Sequence, residues 1–549
     1  MIIKYETMLN FNPFRGLGQN IPLRGAWGLL FLVLLSSCSD FLSTLPDNRT
    51  LINTEKKISQ LLVSAYPSAN YAHIAELSSD NFVDNNAPNA QGDYFDLASF
   101  SRLDDQLFAW EQATASTQQD SPSFLWSSSY SAIAAANHAL VAIDELEKTN
   151  KTINLKAQRG EALLCRAYSH FVLVNIFSQA YKDETASALD LGIPYSTVPE
   201  TVVHGNYTRE SVASVYAKIE ADIEAGYSLL SGANYSVPKQ HFNQKAAAAF
   251  AARFYLYKRN YARVVEYADA VLTATPAAML RDWTPSYDNI LSIGYSYVEQ
   301  QLNCNLLIVN TKSLFFRIFG TRYGHNDDAM IATTYGPGPT WNDRLPCYEG
   351  KLYIRGQQDY GVFFPKCMEM FEYTDKIAGI GYAHVVRAEF TAEETLLCRA
   401  EALIYLNRTA EAVADLQTWN KSRLAPVELT ESIIRNYYVP SNKIYVNDLN
   451  TTKMSSAFVV TPAQEPFIQC VLHFRRIETI FDGYRWFDLK RYSIEIQHAI
   501  GRSRTETLTF DDPRRAIQLP QEVISAGMEP NPVPADATKD NTITKLVEK

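Results

Sequence analysis

The segment Glu161-Ala-Leu-Leu-Cys-Arg-Ala167 returns as Glu394-Thr-Leu-Leu-Cys-Arg-Ala400, and Ala249-Phe-Ala-Ala-Arg-Phe254 between them repeats its small, apolar and arginine theme. No other feature constrains the fold as strongly. A helix of this composition sets small residues where a neighbouring helix must cross closely. Two of the three are followed by a short turn and a second amphipathic stretch. One pair reads Leu256-Tyr257-Lys-Arg-Asn-Tyr261-Ala262, then Val264, Val265, Ala268 and Val271. The other reads Ile404-Tyr405-Leu-Asn-Arg-Thr409-Ala410, then Ala412, Val413, Leu416 and Trp419.

Paired helices of this kind have the marks of tetratricopeptide-like units, which stack because neither helix can bury its apolar face alone. Their spacing is irregular, so the expected fold is mainly α, a helix-pair scaffold carrying long insertions and little sheet. More helical periodicity surrounds the pairs. Asn53 or Thr54 can cap a helix bearing Ile58, Leu61, Leu62 and Ala65 that stops near Pro67. Further helices are expected over about Leu125–Glu147 and Glu161–Phe177, and along the stripe Val212, Val215, Tyr216, Ile219, Ile223, Gly226, Leu229 and Leu230. Residues 78–120 and about 280–390 lose this period and gain Asn, Asp, Gly, Pro and aromatics. Long loops on a rigid frame are where binding residues concentrate.

The N-terminus carries an address. Arg24 precedes an apolar run from Ala26 to Leu35, too short to span a bilayer but suited to a signal peptide, and the run ends in Leu35-Ser36-Ser37-Cys38. That tetrapeptide matches the bacterial lipobox, in which the cysteine is acylated. Residues 1–37 are thus expected to be removed. Residues 38–549 form one domain anchored to a membrane by lipid on Cys38. The other cysteines show no CxxC spacing. Cys165 and Cys398 fall within helical patterns as buried thiols. A formal charge of −10 argues against nucleic acid as a partner.

Nearer the C-terminus, Phe474-Arg-Arg-Ile-Glu478-Thr-Ile-Phe-Asp482-Gly-Tyr-Arg485-Trp-Phe-Asp488-Leu-Lys-Arg491 resembles the hallmark segment of the SusD/RagB family, with Phe474 and Asp482 where that family usually has glutamate. Asp511-Asp-Pro-Arg514-Arg515-Ala-Ile-Gln-Leu-Pro520 and Gly527-Met-Glu-Pro-Asn-Pro532 resemble the closing segment of RagB-like members. The lipobox, the Glu161–Ile176 helix, Ile193-Pro194 and the helix pairs occur in the family's order. The resemblance implies a cell-surface lipoprotein on the outer face of the outer membrane. Such a protein captures oligosaccharides or peptides and delivers them to a SusC-like TonB-dependent transporter barrel, without catalysis or cofactor. Read as physics, the hallmark is structural: Arg475, Arg476, Arg485 and Arg491 alternate with Glu478, Asp482 and Asp488 to knit a charge network, while Trp486 and Phe487 fill core.

A surface hydrolase is the competing reading. Ser79-Asp80-Asn81 spells a β-lactamase-type triplet and Ser236-Val-Pro-Lys239 fits S-x-x-K, but their order is reversed and no K-T-G follows. Adjacent carboxylates such as Asp104-Asp105 or Asp511-Asp512 do not supply the separation a glycosidase needs. No H-E-x-x-H, His/Cys ligand cluster, P-loop or dinucleotide fingerprint occurs, so no catalytic or metal site is assigned. Capture needs only aromatic faces for stacking and amides or charges for hydroxyls. With 32 Tyr, 27 Phe and 7 Trp the chain has rings to spare. The candidates in the second insertion are Trp283, Tyr287, Tyr323, Trp341 and Tyr348, with Asn342, Asp343 and Arg344. The first insertion adds Asp84, Asn85 and Tyr94. Trp341 leads, because the Gly336-Pro337-Gly338-Pro339 loop is expected to hold it outward, so that its loss would weaken binding without lowering the melting temperature.

Overall fold

The structure, a computed structural model, describes residues 52–534 except 90, 201–206, 285–289, 349–352, 355–360 and 365. Cys38 with its lipobox, and Tyr287, lie outside the described residues. The repeated motif does form helices: Lys156–Phe177, Gln244–Lys258 and Ala392–Tyr405. The second and third are paired with Tyr261–Leu272 and Thr409–Ser422. Each pair turns through one residue of left-handed backbone, Arg259 at φ 64° and Asn407 at φ 58°. The fold is the mainly α, helix-pair scaffold expected.

The recurrent arginine makes the same kind of bond in each copy. Arg166 forks onto Asp222 of the Val212–Leu229 helix, both contacts at 2.7 Å. Arg399 forks onto Asp415 of its partner helix at 2.8 and 2.7 Å, and Arg253 reaches Glu389 at 3.1 Å and Glu394 at 3.3 Å. Planar guanidinium suits such bidentate, buried pairing. Where Lys156–Phe177 meets Val212–Leu229, Gly160 and Gly226 face each other: a methyl on Gly160 would lie 2.8 Å from the Gly226 carbonyl. This contact explains why the stripe includes a glycine. Pro122–Thr149 begins with Ser121 Oγ accepting from Phe124 N–H and proline in the first turn. Its N-terminal half packs beside Ser68–Ala69.

The second insertion is less loop-like than its composition suggests. Asn305–Thr311, Ile380–Thr391 and Glu369–Asp375 form a three-stranded antiparallel sheet in that order, with Val309 opposite Arg387 and Glu369 opposite Val385. Ile380–Thr391 then runs directly into Ala392–Tyr405, capped by Thr391 Oγ1 accepting from Glu394 N–H.

The hallmark segment becomes the buried centre of the scaffold, as Glu465–Glu478, a left-handed Gly483 at φ 84°, and Tyr484–Arg491. Its charge network draws partners from far along the chain. Arg475 bonds Asp488 at 3.0 Å and Glu394 at 3.4 Å, while Arg491 bonds Asp488 at 2.7 Å and forks onto Glu401 at 2.8 and 3.1 Å. Glu478 accepts from Arg423 and, at 2.8 Å, from Trp419 Nε1, and Asp482 holds Lys366 at 2.9 Å. Arg485 forks onto Asp80 at 2.7 and 2.8 Å, and Arg476 bonds Asn81 Oδ1 at 2.9 Å. The Ser79-Asp80-Asn81 triplet is therefore counter-charge for the hallmark arginines, which hold the Asp80 carboxyl well below its ordinary range against the cost of burial. Lys490 is the exception. Its ammonium reaches only the carbonyls of Asn175 at 2.5 Å and Ser178 at 2.7 Å, and burial with Arg515 nearby pushes it down to about 7.

Arg515 of the closing segment donates to the carbonyls of Thr509, Leu489 and Ile494, and Ile517 N–H bonds Ile176 O at 3.0 Å, tying the chain's end to the first motif helix. Cys165, Cys304, Cys347, Cys367, Cys398 and Cys470 are all buried free thiols. Among the described residues no helix is long and apolar enough to cross a membrane.

Candidate ligand-binding cleft

The two insertions meet. Val83–Asp84 pairs antiparallel with Tyr323–Gly324, Val83 opposite Gly324 and Asp84 opposite Tyr323. The hairpin of Ile496–Ile500 and Arg504–Leu508 closes on the same point. Asp84 joins all three: Arg322 Nη2 lies 2.7 Å from Oδ2, Gly501 N–H donates to Oδ2 at 2.8 Å, and Asn86 N–H donates to Oδ1 at 2.9 Å. Beside it, Asn85 donates to Thr321 O at 3.2 Å and accepts from Asn326 Nδ2 at 3.0 Å.

Local turn chemistry shapes the first insertion. Asn86 acts as a surrogate backbone unit, donating from Nδ2 to Leu97 O at 2.9 Å and accepting from Leu97 N–H at 2.8 Å. Asn89 Oδ1 accepts from Gln91 and Asp93 N–H around a left-handed Gly92. The outcome is a cleft of about 610 Å³ walled by Asp84, Asn85, Asn89, Gln91 and Asp93 from the first insertion, Asn326, Asp327 and Asp328 from the second, and Gln497 from the hairpin. Phe82, Phe95, Phe108 and His498 supply its apolar surface.

A stack of rings lies under this surface. Tyr323 stacks on Phe108 at 4.5 Å, Phe108 on His498 at 4.1 Å and His498 on Trp110 at 4.2 Å. The His498 ring nitrogens face Phe108 O at 2.7 Å and Ser79 O at 3.0 Å. Burial lowers its proton affinity, opposed by those carbonyls and by Asp80. Tyr323 OH donates to Asp105 at 2.8 Å. The floor is thereby rigid, while Asn89, Gln91, Asp93, Asp328 and Gln497 stand exposed above it.

The sequence candidates divide sharply. Asp84 and Asn85 line the cleft, but they are buried and spend their polar atoms holding its walls together. Tyr94 is 45% exposed but does not line the cleft, and the Arg502 guanidinium lies 4.3 Å from its ring centre. Tyr323 is buried in the floor and offers no stacking face.

Trp341 is corrected outright. It is 4% exposed, its Nε1 donates to Gly336 O at 3.0 Å, and its indole packs beside His473 and Phe474. The glycines turn it inward: any side chain at Gly338 would fall 2.0 Å from the indole, so the loop folds over the ring. Trp283 and Tyr348 are core as well, edge to face at 5.1 Å. Asn342, Asp343 and Arg344 are exposed but do not line the cleft, and Arg344 lies over Tyr335 at 4.6 Å. Sequence reasoning missed Asn89, Gln91, Asp93, Asn326–Asp328 and Gln497. The Asn-Asp-Asp run was a visible polar cluster. Nothing local marked Gln497, which arrives by way of the hairpin.

Comparison with known proteins points one way. The model of a SusD-like family, described as starch-binding and associating with the outer membrane, matches residues 40–256, and that of the SusD family matches residues 350–546. No curated protein matches the chain in sequence. Among solved structures, a candidate sugar-binding protein from Bacteroides vulgatus aligns with a TM-score of 0.61 at 16% identity, over 88% of this chain and 99% of that one. A SusD superfamily protein from the same species gives 0.57 at 17% identity, over 88% and 100%. Another from Bacteroides fragilis gives 0.55 at 14%, over 87% and 99%. The likenesses carry the fold, and the two family matches together span most of the chain from its helical N-terminal half to its closing segment. The protein belongs to the SusD/RagB family.

Proposed function

We propose that the protein captures oligosaccharides in this cleft, at the outer face of the outer membrane, and hands them uncleaved to a TonB-dependent transporter barrel. An acyl group on Cys38 anchors it. The observation that carries the reading is the fusion of both insertions with the hairpin around Asp84, which leaves amides and carboxylates exposed over a fixed aromatic floor. Amides and carboxylates bond pairs of sugar hydroxyls, and ring surface such as that of Phe95 offers contact to the faces of sugars. The starch-binding description of the matching family supports an oligosaccharide as ligand, and its outer-membrane association supports the location.

Hydrolysis has no support in this geometry. The carboxyl side chains near the ring floor are either bonded into walls, as Asp84 is, or on the rim, as Asp93 and Asp328 are. Titration calorimetry against pooled oligosaccharides, followed by chromatography of each pool, tests the reading. Saturable heat with intact oligosaccharides is expected. Shortened products would replace capture with turnover, and absence of heat from every pool would remove the oligosaccharide assignment.

A further inference from the structure

A second, larger recess of about 680 Å³ lies away from the cleft and shares none of its lining. Strand Asn305–Thr311 forms one side, as an outer strand of the three-stranded sheet. The Pro122–Thr149 helix contributes Phe124, Ser127, Ser128 and Ser131 opposite it. Its described lining holds no Asp, Glu, Lys or Arg.

The strand's free side is closed at both ends and open between. At one end Lys312 N–H donates to Ser68 O at 2.7 Å, in a parallel bridge between Ala69 and Lys312. At the other, Leu306 O accepts from Asn243 Nδ2 at 3.1 Å. Main-chain groups alternate in direction along an antiparallel strand. Lys312 N–H turns outward, and the register is unbroken from Ile308 to Thr311, so Asn310 and Ile308, two and four residues before Lys312, turn outward too; the irregularity of the strand lies before Ile308. Ile308 and Asn310 therefore present their N–H and C=O groups to the recess they line.

Unpaired strand edges in soluble proteins are normally guarded by charge, proline or a covering segment. This one is recessed and hydroxyl-lined, with His241, bonded to Glu161 at 2.7 Å, at its margin. We propose that it is a binding site for a short extended peptide of low charge, which pairs with Ile308 and Asn310 as an added strand. A peptide main chain repeats donor and acceptor every second residue, about 6.8 Å apart, which matches the spacing of the open groups. The chain itself already lays Ser68–Ala69 on this edge in the same way. Sugar hydroxyls have no such repeat. The site would give the protein a second class of ligand independent of the cleft.

The test uses the full-length protein and the capped peptide acetyl-Thr-Val-Thr-Val-Thr-Val-amide, with two analogues N-methylated at alternate residues in opposite phases. Calorimetry should show saturable binding of the parent and a loss of about tenfold or more for the analogue whose methyl groups face the edge. Ser131→Trp, at an exposed position on the recess wall, should cause a similar loss with the melting temperature unchanged. Equal binding of all three peptides, undiminished binding by S131W, or no saturable heat from the parent would each overturn the proposal.

Discussion

The hallmark network and the cleft are both rich in carboxylates and amides, yet they use them in opposite ways. In the network Asp80, Glu394, Glu401, Glu478 and Asp488 each meet arginine, in a region where Arg475 is fully enclosed. In the cleft Asp93 and Asp328 stand exposed beside Asn89, Gln91 and Gln497. A buried ion pair that loses one partner leaves an unpaid charge, so the network tolerates no ligand and little change. Exposed polar groups above a rigid floor can exchange water for a ligand at small cost to the fold. Asp84 and Asp80 stand at the boundary between the two uses. They lie close in sequence, and both are held by arginine from distant segments. The hallmark residues thus build the frame, and the exposed amides and carboxylates of the cleft stand outside it.

Substitutions can break or sharpen that contrast. Arg475→Met should have the largest effect, about 3–5 kcal/mol lost in denaturant unfolding, because Asp488 and Glu394 lose a buried partner. A loss below about 1 kcal/mol would mean that the network is not what holds the scaffold. Trp341→Ala should cost about 3 kcal/mol, since it empties a core site, yet leave oligosaccharide affinity unchanged in protein that remains folded. A surface role for Trp341 requires the reverse result.

Lys490→Met should act through pH. Lys490 titrates near 7 when folded and near its ordinary value when unfolded, so between those values the unfolded chain binds the extra proton. Stability from this group therefore rises with pH through that window, by about 2 kcal/mol between pH 7 and 9. The variant should lose this rise, which unfolding curves at the two pH values would measure. In the cleft, Asp328→Ala should alter stability by no more than about 0.5 kcal/mol.

Much of the frame was legible. Thr54, expected as a cap, accepts from Lys57 N–H, and the helix expected over Leu125–Glu147 runs from Pro122 to Thr149. Apolar period and small-residue stripes carry such information locally. The hallmark's charges were also readable as structure, and Asp488 does hold Arg475 and Arg491, but partners outside the segment were not readable, since Arg485 and Asp80 are brought together only by the fold. The sheet in the second insertion was hidden because Glu369–Asp375 and Ile380–Thr391 carry Glu, Asp, Gly, His and Arg among their strand formers, and the short apolar run of Asn305–Thr311 meets its partner only through the fold. The candidate cleft draws its lining from both insertions, and Asp84 and Asn85 are part of it. The aromatics failed as a group for a simple reason. Tyr and Trp in a loop bury as readily as they project, and only contacts such as that between Gly338 and the Trp341 indole decide which.

The central claim is that ligand binding resides where the two insertions and the hairpin converge, separate from the stability of the frame. Calorimetric titration of a double variant, Asp328→Ala with Gln497→Ala, against the oligosaccharide bound by the unaltered protein tests it most directly, with a thermal melt of the same sample. The account predicts affinity reduced about tenfold or more with an unchanged melting temperature. Unchanged affinity in a normally folded variant would contradict it and move the site elsewhere on the molecule.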